Sequence, residues 1–215
     1  MDHNAEFELM PRICCVIPSQ PMCHMNFAVA LVLLSTYSAA NGIQIGFCNT
    51  RGAYVQANRE RGVRKAIELG ADYVFFIDSD MSFPDDALAR LLKAGKEIVG
   101  AAYVRRAPPY DNLAKTNGGE QTVSGLHELE RIPTGMLLIK IDVFKTIPEP
   151  WFETNWNAEK NDFDGEDYAF CDLARKHGFK VWMDCDLSAE VIHWGEMGFK
   201  WTGSGKGYAL IPEIV

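Results

Sequence analysis

The sequence has no apolar run long enough to cross a bilayer. Its longest such stretch, Phe27 to Ala40, is interrupted by Ser35, Thr36, Tyr37 and Ser38 and spans about 14 residues, short of the roughly 20 that a membrane helix needs. It reads as a buried helix. A basic leader is missing too: Asp2, Glu6 and Glu8 stand where a signal peptide would be positively charged, so no export is implied. There is no CxxC pair among the six cysteines, and several lie in apolar strands where Cys packs as a small hydrophobe, which suits reduced thiols in a cytoplasmic protein. Positive charge is not in excess. Twenty-one basic residues against twenty-nine acidic ones give a net charge of −8, which argues against a broad non-specific nucleic-acid surface. Repeats and low-complexity tracts are absent, and 215 residues at 47% hydrophobic suit one α/β domain with a substantial core.

What is present is centred on Ala71 to Phe83, ADYVFFIDSDMSF. Tyr73 to Ile77 is a continuous apolar run between Gly70 and Asp78-Ser79-Asp80, the pattern of a strand buried on both faces. Two carboxylates then emerge at its carboxyl end. In an open α/β sheet that edge is where ligands bind, and two acids one residue apart can hold a hard divalent cation while leaving positions for phosphate oxygens. The stretch therefore reads as a metal and phosphate site, against the plainer reading of a solvated turn with helix-capping acids.

Around it the chain alternates. Arg12 to Pro18 is a strand, His24 to Ala40 a helix stopped by Asn41-Gly42, Ile43 to Cys48 a strand, Asn49 to Gly52 a polar turn, and Tyr54 to Leu69 a helix capped by Gly70. With the strand over Asp72 to Asp78, this βαβαβ order predicts parallel pairing with the carboxyl ends together. Phe83 to Gly95 is a helix with acids in its first turn, and Glu97 to Ala102 a further strand. Tyr103 to Gly125 then loses periodicity and carries Arg105, Arg106 and Lys115, so it reads as a mobile loop able to close on phosphates. His127 to Ile141 returns to strand around Pro133-Thr134-Gly135, Asp142 to Ile147 is a short helix, and Trp151 to Asn157 is extended. Gly165-Glu166-Asp167 opens a helix, Phe179 to Asp184 and Ala189 to His193 are strands, and 195–215 reads as irregular.

In order, Ile17-Pro18-Ser19, Asn58-Arg59, IDSDM at Ile77 to Met81, IPTG at Ile132 to Gly135, GEDYAF at Gly165 to Phe170, and His193 resemble the glycosyltransferase A fold, in particular its family 2-like enzymes, over nearly the whole chain. The resemblance implies a single α/β domain with a Rossmann-like, mixed central sheet flanked by helices. It also implies transfer of a sugar from a nucleotide-diphosphate donor, a UDP-sugar foremost, to an acceptor hydroxyl, with Mn²⁺ or Mg²⁺ as cofactor. Asp80, with Asp78 and His193, would hold the metal. Pro18 and Ser19 would line the nucleobase site, with Arg59, Ser79 and Arg105 toward base or phosphates and Thr134 and Gly135 toward acceptor or sugar. Asp167, or else Glu166, would be the general base. Arg59 is followed by Glu60 where relatives have Asn, a departure at the phosphate side. The acceptor is open between a carbohydrate, a small molecule, a protein and, for a bacteriophage protein in its host cytoplasm, a hydroxylated DNA base. Two rivals remain: a non-catalytic nucleotide-sugar-binding protein, and a haloacid-dehalogenase-like phosphatase, whose DxD stands near the chain start and is followed by a Lys and an acidic pair not found here.

Overall fold

The computed structural model describes residues 10–106, 110–116, 124–159, 161–195, 198–201 and 208–211. In chain order these form β1 (Arg12–Ser19), α1 (Met25–Ala40), β2 (Gln44–Arg51), α2 (Val55–Glu68), β3 (Tyr73–Ile77), β4 (Met81–Ser82), α3 (Ala87–Lys93), β5 (Ile98–Gly100), β6 (Leu126–Leu129), β7 (Met136–Lys140), α4 (Ile141–Thr146), β8 (Asn155–Asn157), β9 (Asp162–Asp164), α5 (Glu166–Lys176), β10 (Val181–Asp184), α6 (Cys185–Ser188), β11 (Ile192–His193), β12 (Gly198–Trp201) and β13 (Tyr208–Ile211).

Seven strands make the central sheet in the order β2-β1-β3-β7-β5-β10-β6. β1 pairs in parallel with both β2 and β3, so the first three strands deliver Ser19, Arg51 and Ile77 to one edge. β7 then enters antiparallel between β3 and β5, which makes the sheet mixed. Its layers follow from alternation along each strand. In β3, Val74 and Phe76 pack with Val63, Phe144, Phe152 and Phe170 of one core, while Phe75 and Ile77 pack with Phe27, Leu34, Leu88 and Leu91 of the other. Helices therefore cover both faces, and the apolar run of β3 is buried from Val74 to Ile77, with Tyr73 partly exposed.

A second sheet, β13-β12-β11-β4, is antiparallel and lies beyond the carboxyl end of β3. The pairing of its edge strand β4 with β11 matters for the site: Met81 opposes His193, and Ser82 opposes Ile192. β8 and β9 form a separate two-stranded hairpin just ahead of α5.

Several elements differ from the sequence reading. β2 continues through Arg51 where a polar turn was expected at Asn49, because β1 offers it partners as far as Ser19. Trp151 and Phe152 are buried in a bend, so the extended stretch is confined to β8. The irregular tail expected over 195–215 contains β12 and β13; 196–197, 202–207 and 212–215 lie outside the described residues. Of the expected loop, 107–109 and 117–123 lie outside them too, while Tyr103, Val104, Asn112 and Ala114 are buried and tied down by the bridges Val104 to Asn112 and Lys115 to Arg131. Among the described residues no helix is long and apolar enough to cross a membrane.

Candidate active site

The carboxyl ends of β1, β2 and β3 open into a cleft lined by Pro18, Ser19, Gln20, Gly52, Ala53, Val55, Asn58, Asp78, Ser79 and Asp80. The space between its walls is about 540 Å³, part of it open to solvent. Two side chains shape the far wall: Asn49 Nδ2 donates to the Ile17 carbonyl at 3.0 Å and to Ser19 Oγ at 2.6 Å, and Asn58 Nδ2 donates to the Gly52 carbonyl at 3.1 Å. Gln20, Ala53 and Val55 were not singled out from the sequence. The signal was available in the topology, since parallel strands bring all their trailing turns to one crevice.

Arg59 on α2 organises the acids. Its side chain is 4% exposed, and the guanidinium spans two elements: Nη2 donates to Asp78 Oδ1 at 3.1 Å and Nε to Glu166 Oε1 at 3.1 Å. Burial works against the charge on Arg59, but Asp78 and Glu166 outweigh it and raise its pKa. Among the described residues its Nη1 is buried without a partner. Arg59, expected against base or phosphate, thus lies beneath the acid pair and positions it. Glu60 points elsewhere: Oε1 accepts the amides of Trp151 at 2.5 Å and Phe152 at 2.8 Å. The departure from Asn at this position therefore serves the 150-region backbone.

Asp78 is pinned from its main chain as well, since its amide donates to the Gly135 carbonyl at 3.0 Å. Burial, with the Asp80 charge adding and Arg59 opposing, pushes the Asp78 carboxyl up. Gly135 is required here: its own amide donates to the Tyr103 hydroxyl at 3.0 Å, and a Cβ would collide with that hydroxyl and sit 2.9 Å from Asp78 Oδ2. Thr134 is buried, with Oγ1 unpartnered among the described residues. Tyr103, which the sequence reading passed over, closes this floor and packs edge-on to His193 at 4.8 Å.

Asp80 and His193 meet because β4 pairs with β11. The Trp194 amide donates to the Asp80 carbonyl at 2.8 Å, and His193 Nε2 comes within 3.7 Å of Asp80 Oδ2. His193 Nδ1 lies 2.9 Å from the Val104 carbonyl, an acceptor only, so Nδ1 carries a proton and Nε2 is the nitrogen turned to Asp80. That carbonyl contact is the kind that orients a metal-binding imidazole. Asp80 Oδ1 is buried and unpartnered among the described residues. Burial disfavours the Asp80 charge, yet the His193 ring and Arg106 outweigh it and hold the carboxyl below its ordinary value. No third His, Cys, Asp or Glu joins them among the described residues. Two protein ligands fit Mg²⁺ or Mn²⁺ at a nucleotide site, where phosphate oxygens and water fill the remaining positions.

The two acids opening α5 differ. Glu166 is engaged by Arg59. Asp167 accepts only the Tyr168 amide, at 2.8 Å, among the described contacts, and burial followed by the Glu166 charge pushes its carboxyl up to about 6. Arg105 is turned away to Asp111, 3.2 Å off, whereas Arg106 reaches Asp80. Of the tryptophans, Trp151 and Trp194 are buried, and Trp156 is 55% exposed beside an equally open Phe163, ring centroids 5.1 Å apart.

Comparison with solved structures finds this fold in several proteins. The A197 protein of STIV shares 17% identity, with a TM-score of 0.62 and 96% of each chain covered. The catalytic domain of Drosophila β1,4-galactosyltransferase 7 in complex with xylobiose shares 14%, with a TM-score of 0.51, over 81% of this chain and 65% of that one. A mutant of the same Drosophila enzyme in complex with manganese, UDP-Gal and xylobiose shares 13%, with a TM-score of 0.50, over 86% and 71%. No protein-family model matches the sequence, and no curated protein matches it.

Proposed function

We propose that this chain, which has the glycosyltransferase A fold, is a metal-dependent glycosyltransferase that moves a sugar from a nucleotide-diphosphate donor, a UDP-sugar foremost, to an acceptor hydroxyl with inversion. The observation that carries the reading is the linked set of charges at the strand ends: Asp78 and Asp80 line the cleft, His193 faces Asp80, and Arg59 ties Asp78 to Glu166, the neighbour of Asp167. Asp80 Oδ1 and His193 Nε2 would hold Mn²⁺ or Mg²⁺, with Asp78 alongside toward the ribose. The ion would supply Lewis-acid neutralisation of the departing diphosphate. Pro18 and Ser19 present the cleft wall where the nucleobase would lie.

In the reaction the acceptor oxygen bonds to the anomeric carbon as the bond from that carbon to the diphosphate oxygen breaks and its electron pair leaves with the diphosphate. The hydroxyl proton passes to Asp167. Asp167 suits that task because its carboxyl is free of a cation and titrates near neutrality, whereas Glu166 is committed to Arg59. For the acceptor, the exposed Trp156 and Phe163 rings lie on the hairpin that leads into Asp167, and flat aromatic faces of this kind support a carbohydrate acceptor.

Thermal melts against a panel of nucleotide sugars, with and without Mn²⁺, test the reading, followed by product analysis on the donor that binds. A donor at a hundredfold excess over Kd stabilises by about 2.7 kcal/mol, a rise on the order of 5–10 °C for a chain of this size. The rise is expected only with metal, and only for nucleotide-diphosphate sugars. A panel without effect would remove the reading, and stabilisation with no transfer or hydrolysis would leave a non-catalytic binding protein.

A further inference from the structure

Asp80 already carries a cation of the protein's own. Arg106 Nη1 lies 2.7 Å from Asp80 Oδ2, and the same nitrogen donates to the Trp194 carbonyl at 2.7 Å. Oδ2 is also the oxygen that His193 Nε2 faces. The guanidinium therefore stands beside the carboxylate and imidazole proposed to receive a divalent ion, and like charges repel strongly at such separations in a partly buried site. A metal entering between Asp80 and His193 displaces Arg106 from Oδ2.

We propose that Arg106 is the resting counter-ion of Asp80 and transfers to the donor diphosphate when metal and nucleotide bind, so that the two bind as a unit; this rests on the metal-dependent reading above. The destination follows from distance. Mg²⁺-type ligand bonds are about 2.0–2.1 Å, so a phosphate oxygen on the same ion lies within roughly 4 Å of the Asp80 oxygen that binds it, on the carboxylate that Arg106 now touches. The arm that reaches Asp80 can reach that phosphate by turning side-chain torsions alone, and its fork of donors matches phosphate oxygens. Metal without nucleotide offers Arg106 no such anion. The neighbouring carboxylate, Asp111, is already engaged by Arg105 and Lys115. Metal alone must then break two contacts of Arg106 with none formed in return, and binds weakly. With a nucleoside diphosphate present, the displaced charge finds a partner.

The test is a binding cycle on wild type, Arg106→Gln and Arg106→Lys, measuring Mn²⁺ alone by electron paramagnetic resonance and UDP at saturating Mn²⁺ by calorimetry, with melting curves to verify folding. Removing the guanidinium is expected to tighten Mn²⁺ binding in the absence of nucleotide tenfold or more. The same substitution is expected to weaken UDP tenfold or more, with Arg106→Lys between the two. If wild type binds Mn²⁺ and UDP together while Arg106→Gln leaves the affinity for Mn²⁺ alone unchanged, the counter-ion exchange is wrong and the metal-dependent reading stands. If UDP binds wild type tightly without any metal and Arg106→Gln abolishes it, Arg106 replaces the ion and both proposals fall.

Discussion

Adjacent carboxylates at the start of α5 show how one residue of offset separates two roles. Glu166 is spent on Arg59, and Asp167 has burial and a neighbouring negative charge, which push its carboxyl up to about 6. A folded-state value above the unfolded one means that the folded chain holds the proton more tightly. The associated stability is fully present below about pH 4 and is lost as pH rises through about 6. Asp167→Asn, neutral throughout, should therefore gain stability relative to wild type on going from pH 4 to pH 8, by roughly 1–3 kcal/mol. Loss of an anion from the helix first turn takes back about 0.3–1 kcal/mol of this. Transfer should fall about 10²- to 10⁴-fold with donor affinity little changed, and the wild-type rate should rise with pH through an inflection near 6. Melting curves at the two pH values, beside rates, decide it. A variant that is active, and less stable at pH 8 by about the same amount as at pH 4, would return Asp167 to a helix-cap role. The sequence marked both acids and the resemblance put Asp167 first; what engages Glu166 instead is Arg59, 107 residues earlier in the chain.

At the scale of elements, α2 joins the site to the rest of the fold. Successive residues point to different places, Arg59 to the acids and Glu60 to the buried amides of Trp151 and Phe152. Glu60→Ala leaves two buried donors unmet and should cost about 2–4 kcal/mol, read as a lower urea midpoint; Glu60→Gln, which keeps one acceptor oxygen, should cost less. Loss under 0.5 kcal/mol would mean that water takes the carboxylate's place. The β8–β9 hairpin makes the opposite case, because Trp156 and Phe163 are more exposed than buried. Trp156→Ala should change stability by less than about 0.5 kcal/mol while raising the acceptor KM and sparing donor affinity in steady-state kinetics. An unchanged acceptor KM would move the acceptor elsewhere. Legibility follows the same division. β1, α2, β3 and α5 were readable from their own apolar pattern and punctuation, whereas α1 was placed by its Asn41-Gly42 stop but read as a buried helix although Val29, Val32 and Leu33 are exposed. β4, β11, β12 and β13 were harder, being two to four residues long and defined by partners far away in sequence.

At the scale of the whole molecule, the mixed sheet does two things. Its parallel half collects three strand ends into a cleft, and its antiparallel insertion, β7, brings Gly135 against Asp78 and fixes the floor of that cleft. The second sheet then returns His193 to Asp80. The parallel half and the DxD strand were legible from alternation alone, and the resemblance carried the expected order of markers. The place of Tyr103 was not, and Arg106 was marked only as a basic residue of a loop expected to close on phosphates, since both lie in a segment without periodicity and acquire partners only through the folded sheet. Everything rests on the cleft taking a nucleotide diphosphate through a cation at Asp80 and His193. The direct measurement is nucleotide-diphosphate release from the donor that stabilises the protein, followed in excess EDTA, after Mn²⁺ is restored, and with Asp80→Asn under the same conditions. Release should vanish in EDTA, return with Mn²⁺, and fail to return in Asp80→Asn; full release in EDTA by wild type would contradict the metal site and the mechanism built on it.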